Sequence, residues 1–133
     1  MPYFLDTNIC IYYLKGLYPL LHDRMLRHSI SEIKIASIVK AELLYGAAKS
    51  KKREDNTTKV KQFLLPFAVI SFDDNAAELY AQIRANMASG GISIGPNDLI
   101  LAATVLANGG TLVTNNAKEF SRIGDLKIEN WTK

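Results

Sequence analysis

A polar turn joins a short apolar strand to a helical segment in Phe4-Leu-Asp-Thr-Asn-Ile-Cys-Ile-Tyr-Tyr-Leu14. The pattern predicts a buried strand over Pro2–Leu5 and a helix from about Asn8 to Leu14. The alternation of strand and helix continues to the end of the chain, and no repeat or interdomain linker interrupts it. It predicts an α/β domain with a largely parallel sheet, because parallel strands need crossover connections that are usually helical.

Apolar periodicity and turn residues predict the other elements. Four further strands are expected at Ile33–Ala36, Phe67–Phe72, Thr111–Thr114 and Leu126–Ile128, of which Phe67–Phe72 is expected to be buried. Helices are expected at Pro19–Arg27, at the segment capped by Ser37 that carries Glu42, at Thr57–Leu65, at Asp74–Met87, at Asp98–Ala107 and at Ala117–Phe120. The helix after Asp98 is apolar all round, so it is expected to be buried. The charged segment Lys49–Asn56 is expected to form a turn or a frayed helix end.

Composition restricts the class of protein. The 133 residues fit one domain, 1–133, and 48% hydrophobic with 22% charged residues is typical of a folded globular protein. The single cysteine, Cys10, excludes a disulfide within the chain, which favours a reducing cytosol. No apolar segment is long enough to span a membrane, and the N-terminus lacks the features of a signal peptide. We therefore expect a cytoplasmic protein.

The formal net charge of +3 is weak support for a polyanionic partner. Basic residues form two clusters, one of Lys49, Lys51, Lys52 and Arg53 and one of Arg24, Arg27 and His28. Each cluster alone is equally well explained as a solvated surface. His22 and His28 have charged neighbours and are expected to be surface residues rather than catalytic ones.

Three carboxylates stand where apolar sequence should hold them near the interior. Asp6 closes the first strand, Glu42 lies on the apolar half of its helix, and Asp98 opens the most apolar helix. Each also has an ordinary structural explanation: a helix N-cap for Asp6, a helix-dipole partner for Asp98, and a stripe-edge position for Glu42. Buried carboxylates are costly unless they are paired, hydrogen-bonded or bound to a metal.

Ligands of open parallel sheets bind beyond the carboxyl ends of the strands. Asp6 occupies such an end, Thr114-Asn-Asn116 ends a later strand, and Glu119 follows one turn on. Mg²⁺ and Mn²⁺ prefer oxygen ligands, and a bound ion can activate a water and stabilise a phosphoryl transition state. Zinc motifs, a nucleophile elbow and a phosphate-binding glycine loop are absent. The pattern therefore favours divalent-cation chemistry on phosphodiesters.

Four motifs carry a family resemblance. Phe4–Leu14, Ser37-Ile-Val-Lys-Ala-Glu-Leu-Leu-Tyr-Gly46, Gly95-Pro-Asn-Asp-Leu-Ile-Leu-Ala-Ala103 and Thr111-Leu-Val-Thr-Asn-Asn-Ala-Lys-Glu-Phe120 resemble, in order and spacing, the motifs of PIN-domain proteins. More narrowly they resemble the VapC-type toxins of bacterial toxin–antitoxin pairs, as does the closing stretch Ile123–Trp131. The likeness covers essentially the whole chain, and it rests on the four motifs in register.

The resemblance implies a Mg²⁺- or Mn²⁺-dependent endoribonuclease on a three-layer α/β/α sandwich with a central, mainly parallel sheet. Asp6, Glu42 and Asp98 match the family's acidic positions and would bind the metal. Thr7 and Asn8 would hold the first turn, and Thr114 would support the pocket. The fourth acidic position falls on Asn116, a candidate catalytic residue that could ligate the metal through its carbonyl oxygen or position a water but brings no charge. Glu119 is the residue that would compensate. Arg84 is a candidate contact for RNA phosphate, although a surface ion pair explains it equally well.

The resemblance also implies partners. Toxins of this type are held inactive by a cognate antitoxin, commonly form homodimers, and cut structured RNAs among which tRNA loops are prominent. Two other functions stay open from the sequence. One is a DNA-directed nuclease on the same fold. The other is a degenerate PIN domain that acts as a binding scaffold, which the asparagine at position 116 leaves open.

Overall fold

The computed structural model describes residues 1–133 and contains five strands. These are β1 (Tyr3–Leu5), β2 (Ile33–Ala36), β3 (Ala68–Ile70), β4 (Thr111–Val113) and β5 (Lys127–Glu129). They form one sheet in the order β3-β2-β1-β4-β5, and every neighbouring pair is parallel. β1 therefore lies at the centre, with Leu5 paired to Val113 of β4.

Seven α-helices connect and cover the strands. They are α1 (Thr7–Leu14), α2 (Pro19–Leu26), α3 (Ser37–Ala48), α4 (Arg53–Leu64), α5 (Asp74–Ser89), α6 (Pro96–Ala107) and α7 (Ala117–Phe120). α3 packs against α1 and α4, and α5 packs along α6. A 3₁₀ turn at Ile30–Glu32, which the sequence analysis missed, precedes β2 and is closed by a capping box between Ser29 and Glu32.

The central strands are buried on both faces of the sheet. Successive strand residues point to opposite faces, and Phe4 with Leu5 on β1 and Leu112 with Val113 on β4 are all fully buried. Both faces must therefore be covered, as in all-parallel sheets generally. The expected three-layer α/β/α sandwich with a parallel sheet is confirmed.

α6 is the buried helix that its apolar sequence predicts. Six of its residues are buried, and they include Leu99, Leu101 and Val105. Thr104, also buried, donates its hydroxyl to the Ile100 carbonyl at 2.8 Å, so its polar atom is satisfied within the helix. None of the helices combines the length and the apolar character needed to cross a membrane.

The predicted burial of the third strand is wrong. β3 is shorter than Phe67–Phe72 and forms the edge of the sheet, where Ala68 and Val69 are exposed. The helix that follows it packs on α6. An apolar run alone does not distinguish an edge strand from a central one, because burial depends on what packs outside the strand.

Two helix starts also differ from expectation. α4 begins at Arg53, within the segment Lys49–Asn56 that was expected to form a turn or a frayed helix end, and Glu54 and Asp55 in its first turn complement the positive end of the helix dipole. Ser37 is the first helical residue of α3 and not its cap. Ala36 occupies the cap position, and no side chain caps that helix.

One of the two histidines is not a simple surface residue. His22 is exposed as expected, but His28 is half-buried and stacks on the fully buried Trp131 with ring centroids 4.8 Å apart. Tyr3 of β1 contacts both rings. The stack therefore attaches the end of the chain to the central strand.

Gly110 tests the tight packing at the start of β4. A Cβ at this position would lie 2.8 Å from the Cδ1 and Cε1 atoms of Phe4, which is fully buried in β1. We expect Gly110→Ala to lower the free energy of unfolding by about 1–3 kcal/mol, since the buried ring must shift. Urea denaturation measures this change.

Gly124→Ala is the matched control, because nothing lies within 4 Å of an added Cβ there. Its stability should stay within about 0.5 kcal/mol of the parent. A Gly110→Ala protein as stable as the Gly124→Ala protein would show that β1 and β4 are packed less tightly than described.

Candidate functional site

The carboxyl ends of β1, β2 and β4 meet at one edge of the sheet. Asp6 follows β1 directly, α3 starts directly after β2, and Thr114 follows β4. The backbone N–H of Asp6 donates to the Val113 carbonyl at 3.0 Å, so the parallel ladder continues to the first carboxylate. The topology therefore places the polar residues that follow the strands side by side, at the edge where open α/β sheets generally bind their ligands.

Asp6 caps α1 and is buried. Its Oδ1 accepts the backbone N–H of Ile9 at 2.8 Å, and only 7% of the residue is exposed. Burial raises the pKa of this carboxyl above its ordinary value, and the negative charge of Glu42 adds to the effect, while hydrogen bonds from Thr114 and Ile9 oppose it. Asp6 therefore acts as the N-cap of α1 and also lies next to another carboxylate, that of Glu42.

Glu42 links three helices. Its Oε1 accepts the hydroxyl of Thr7 on α1 at 2.5 Å, and its Oε2 lies 3.4 Å from the side-chain amide of Asn97 on α6. The residue itself is half-buried on α3. Asn97 was not predicted as a site residue from the sequence, where its one signal was its position directly before Asp98 at the start of a helix.

Asp98 lies in the first turn of α6 and has the most perturbed carboxylate of the site. Burial, followed by the charges of Glu119, Glu42 and Asp6 in that order, raises its pKa from 3.8 to about 6. All three neighbouring charges are negative. The structure therefore brings Asp6, Glu42, Asp98 and Glu119 within electrostatic reach of one another.

The strand end after β4 forms the rim of this cluster. Thr114 is fully buried, and its Oγ1 accepts the backbone N–H of Asn116 at 2.9 Å. The Asn116 side-chain amide donates to Oε2 of Glu119 at 2.6 Å. Asn116 thus holds a carboxylate near the site although it carries no charge. Asn8 is exposed in the first turn of α1. The carboxylate that accepts the capping hydrogen bond of this helix belongs to Asp6.

Arg84 is not among the charges that act on Asp98. It is exposed on α5, its guanidinium donates to the Tyr80 hydroxyl at 2.7 Å, and it lies over the ring of the same tyrosine. It forms no ion pair.

The cluster has no protein counter-ion. The Arg24–Glu129 ion pair and the contact between His28 and Glu32 both lie outside it. No group of three or more His, Cys, Asp or Glu side chains is placed so that it could hold a metal ion. Mg²⁺ commonly uses one or two carboxylates and completes its octahedron with water and substrate phosphate. This uncompensated, open set of oxygen donors fits Mg²⁺ or Mn²⁺ and does not fit a closed structural metal site.

The sequence of the chain matches a known protein family. The PIN domain model matches residues 3–126. The chain belongs to the PIN domain family. Its similarity to the VapC ribonucleases extends over its whole length: it is 42% identical to ribonuclease VapC2 of Rickettsia felis, with 100% of both chains covered. It is 36% identical to the tRNA(fMet)-specific endonuclease VapC of Shigella flexneri, with 99% of both chains covered.

Solved structures of toxin–antitoxin complexes share this PIN fold. VapBC2 of Rickettsia felis bound to a promoter DNA fragment superposes with a TM-score of 0.91 at 40% identity, covering 98% of this chain and 99% of that one. VapBC-1 of nontypeable Haemophilus influenzae gives a TM-score of 0.91 at 31% identity, with both chains covered completely. The chain is therefore a PIN domain of the VapC type.

The destabilisation of the fold by the ionised Asp98 carboxylate can be tested by thermal denaturation. The folded protein holds this proton up to about pH 6, whereas an unperturbed carboxyl loses it near 3.8. Ionised Asp98 therefore destabilises the metal-free fold, fully above pH 6 and progressively less as pH falls towards the unfolded value. In EDTA at pH 7.5 we expect Asp98→Asn to raise the thermal midpoint by a few degrees, and the gain should vanish near pH 4.

Asp125→Asn is the control for this comparison, because Asp125 is exposed and forms no ion pair. Its thermal midpoint should match that of the parent at both pH values. A destabilised Asp98→Asn protein at pH 7.5 would mean that the helix-dipole interaction of Asp98 outweighs the repulsion from its acidic neighbours.

Proposed function

We propose that this protein is a metal-dependent endoribonuclease toxin that hydrolyses phosphodiester bonds in structured RNA and is neutralised by a protein antitoxin. One observation supports the proposal above all others. At the carboxyl edge of a PIN sheet, Glu119, Glu42 and Asp6 lie close enough to Asp98 for their negative charges to raise its pKa, and none of these four carboxylates forms an ion pair. An arrangement that costs stability in the empty protein is expected where a cation and a substrate offset the repulsion.

The side chains have separable roles in this proposal. Asp6, Glu42 and Asp98 would hold Mg²⁺ or Mn²⁺, and the bound ion would supply an activated water and stabilise charge on the phosphoryl group. Thr7 and Asn97 orient the Glu42 carboxylate through their hydrogen bonds. Asn116 positions Glu119, which restores a negative charge near the family's fourth acidic position.

The proposed substrate is the loop of a tRNA. A relative 36% identical to this chain is named a tRNA(fMet)-specific endonuclease. The carboxylates lie at the edge of the sheet, and single-stranded loops offer such a site an accessible backbone with splayed bases. Arg84 is exposed and bonded to the neutral Tyr80 hydroxyl, so its charge is available to an RNA phosphate.

The proposed antitoxin site is a groove of about 750 Å³ between α1, α3 and α4. Seven of its thirteen lining residues are hydrophobic, and Glu42 lies on its wall. Lys15 and Lys59 also line it, so an apolar segment with acidic residues facing these two lysines, and none facing Glu42, would fit. Relatives with this fold were solved as VapBC complexes. A segment that occupied the groove would reach the acidic cluster at Glu42 and block it.

Self-association and location complete the proposal. Leu65, Val69 and Phe72 are exposed beside the unpaired edge of β3, and exposed apolar side chains at a sheet edge are typical of interaction surfaces. We assign this edge to a second copy of the chain, which gives a homodimer.

The cytoplasm, where the proposed RNA substrate is found, is the proposed compartment.

Cleavage of total cellular RNA by the purified protein tests the activity. We expect discrete fragments in Mg²⁺ and none in EDTA, and Asp98→Asn should lower the rate by at least a hundredfold because it removes a metal ligand. Asp125→Asn should cleave at the parental rate. Sequencing of the fragment ends identifies the cut loop.

The same assay separates the two other functions. Equal cleavage of a matched single-stranded DNA would favour the DNA-directed nuclease. A folded protein, free of antitoxin, that cleaves neither nucleic acid and shows no calorimetric binding of Mn²⁺ would support the binding scaffold and overturn the nuclease proposal.

Gly46 gives a test of the antitoxin groove. It lines the groove on α3, and an added Cβ would meet no atom within 4 Å. Gly46→Phe should fill the groove and keep RNA cleavage while it prevents neutralisation, so co-expression of the antitoxin no longer rescues growth. Gly46→Ala is the matched control. It should remain neutralised and gain about 1 kcal/mol of stability from its better helix propensity. Rescue of the Gly46→Phe toxin would place the antitoxin elsewhere.

A further inference from the structure

Two tyrosines form an aromatic pair beside the acidic cluster. Tyr12 lies on α1, the helix that Asp6 caps, and its ring packs edge-on against Tyr18 with centroids 5.1 Å apart. Neither residue lines the proposed antitoxin groove. Tyr12 is half-buried and Tyr18 is 41% exposed, so the pair has a supported inner ring and an open outer ring.

A hydrogen bond attaches this pair to the rim of the site. The Asn115 side-chain amide donates to the Tyr12 hydroxyl at 3.3 Å. Asn115 lies between Thr114 and Asn116, which form the rim described above. Because β1 and β4 are paired in register, this rim lies directly beside Asp6. The aromatic pair therefore extends the site outward from the acidic cluster.

The backbone at Tyr18 is strained. Its φ is +58° and its ψ is +88°, and it is the one non-glycine residue of the chain with a positive φ. Pro19 follows, and a residue before proline favours extended backbone. Strain of this kind persists where the surroundings impose it and is concentrated at functional sites. The strained backbone of Tyr18 holds its exposed ring against Tyr12. A glycine at this position would adopt the same backbone conformation without strain.

We propose that Tyr18, supported by Tyr12, is a stacking platform for an unpaired base of the RNA next to the scissile phosphate. The inference rests on the proposed ribonuclease function and deepens it. Bases stack on aromatic side chains in single-stranded nucleic acid, whichever base is present. A phosphate approaching the metal would bring a flanking nucleotide over this pair, and splaying of that base requires a loop and not a duplex.

Binding of a fluorescein-labelled single-stranded RNA of nine nucleotides tests the platform in an Asp98→Asn background that does not cleave it. Tyr18→Ala should weaken binding about tenfold, the usual loss for one stacked base. Tyr18→Phe should restore the affinity. Leu17→Ala, which removes a neighbouring exposed side chain outside the pair, is the matched control and should bind as the parent does.

Tyr18→Gly separates the platform from a structural role. Glycine accepts a positive φ without strain, so the thermal midpoint should equal or exceed that of the parent while RNA binding still falls about tenfold. A residue with a merely structural role would not lose affinity while stability is kept. An RNA with one abasic nucleotide at the stacked position should bind the parent and the Tyr18→Ala protein equally.

The outcomes distinguish this inference from the function on which it rests. If the parent protein cleaves RNA and Tyr18→Ala binds and cleaves it equally well, the platform is overturned and the ribonuclease stands. If Tyr18→Ala keeps its RNA affinity but loses its complex with the antitoxin, the pair belongs to the antitoxin surface and the inference is also overturned. Absence of metal-dependent RNA cleavage by the parent would reject the proposed function itself.

Discussion

The in-register parallel pairing of β1 with its two neighbours is the constraint on which the site depends. Asp6, the start of α3 and Thr114 lie together because β1, β2 and β4 end at one edge, and because the ladder continues from Val113 to the Asp6 N–H. A slip of one residue would turn the fully buried Phe4 and Leu5 to the opposite faces of the sheet. The core therefore enforces the register, and the register places the carboxylates.

Two carboxylates at this edge of the sheet both stabilise the start of a helix and belong to the proposed metal site. Asp6 caps α1 and Asp98 lies in the first turn of α6, so each receives some compensation from backbone N–H groups. That compensation is incomplete, since burial still raises the pKa of both carboxyls, and nearby negative charges add to it: Glu42 for Asp6, and Glu119, Glu42 and Asp6 for Asp98. Helix starts thus reduce the cost of an acidic cluster without neutralising it, and the charge that remains is what a divalent cation would bind.

Much of this arrangement could be predicted from local sequence. Apolar runs followed by polar turns indicated the strands, and Asp6, Glu42 and Asp98 stood out because they interrupt apolar patterns. Contacts between distant residues could not be predicted in this way. The bonds from Asn97 to Glu42 and from Asn115 to Tyr12 join positions 55 and 103 residues apart. The exposure of β3 was missed for a related reason, because an edge position depends on strand order and not on the strand's own residues.

α1 separates the two proposed binding surfaces of the protein. Its N-terminus holds Asp6, Ile11 and Tyr13 face the groove, and Tyr12 contacts the rim on another side of the helix. Thr7, in the first turn, bonds Glu42 on the groove wall. An antitoxin segment in the groove and an RNA base on the tyrosine pair would then approach one acidic cluster from different sides of a single helix. In this arrangement an antitoxin inhibits the protein by occupying only the carboxylates and the groove. The RNA-contacting ring can remain exposed in the inhibited complex, so the RNA surface and the antitoxin surface are free to vary independently.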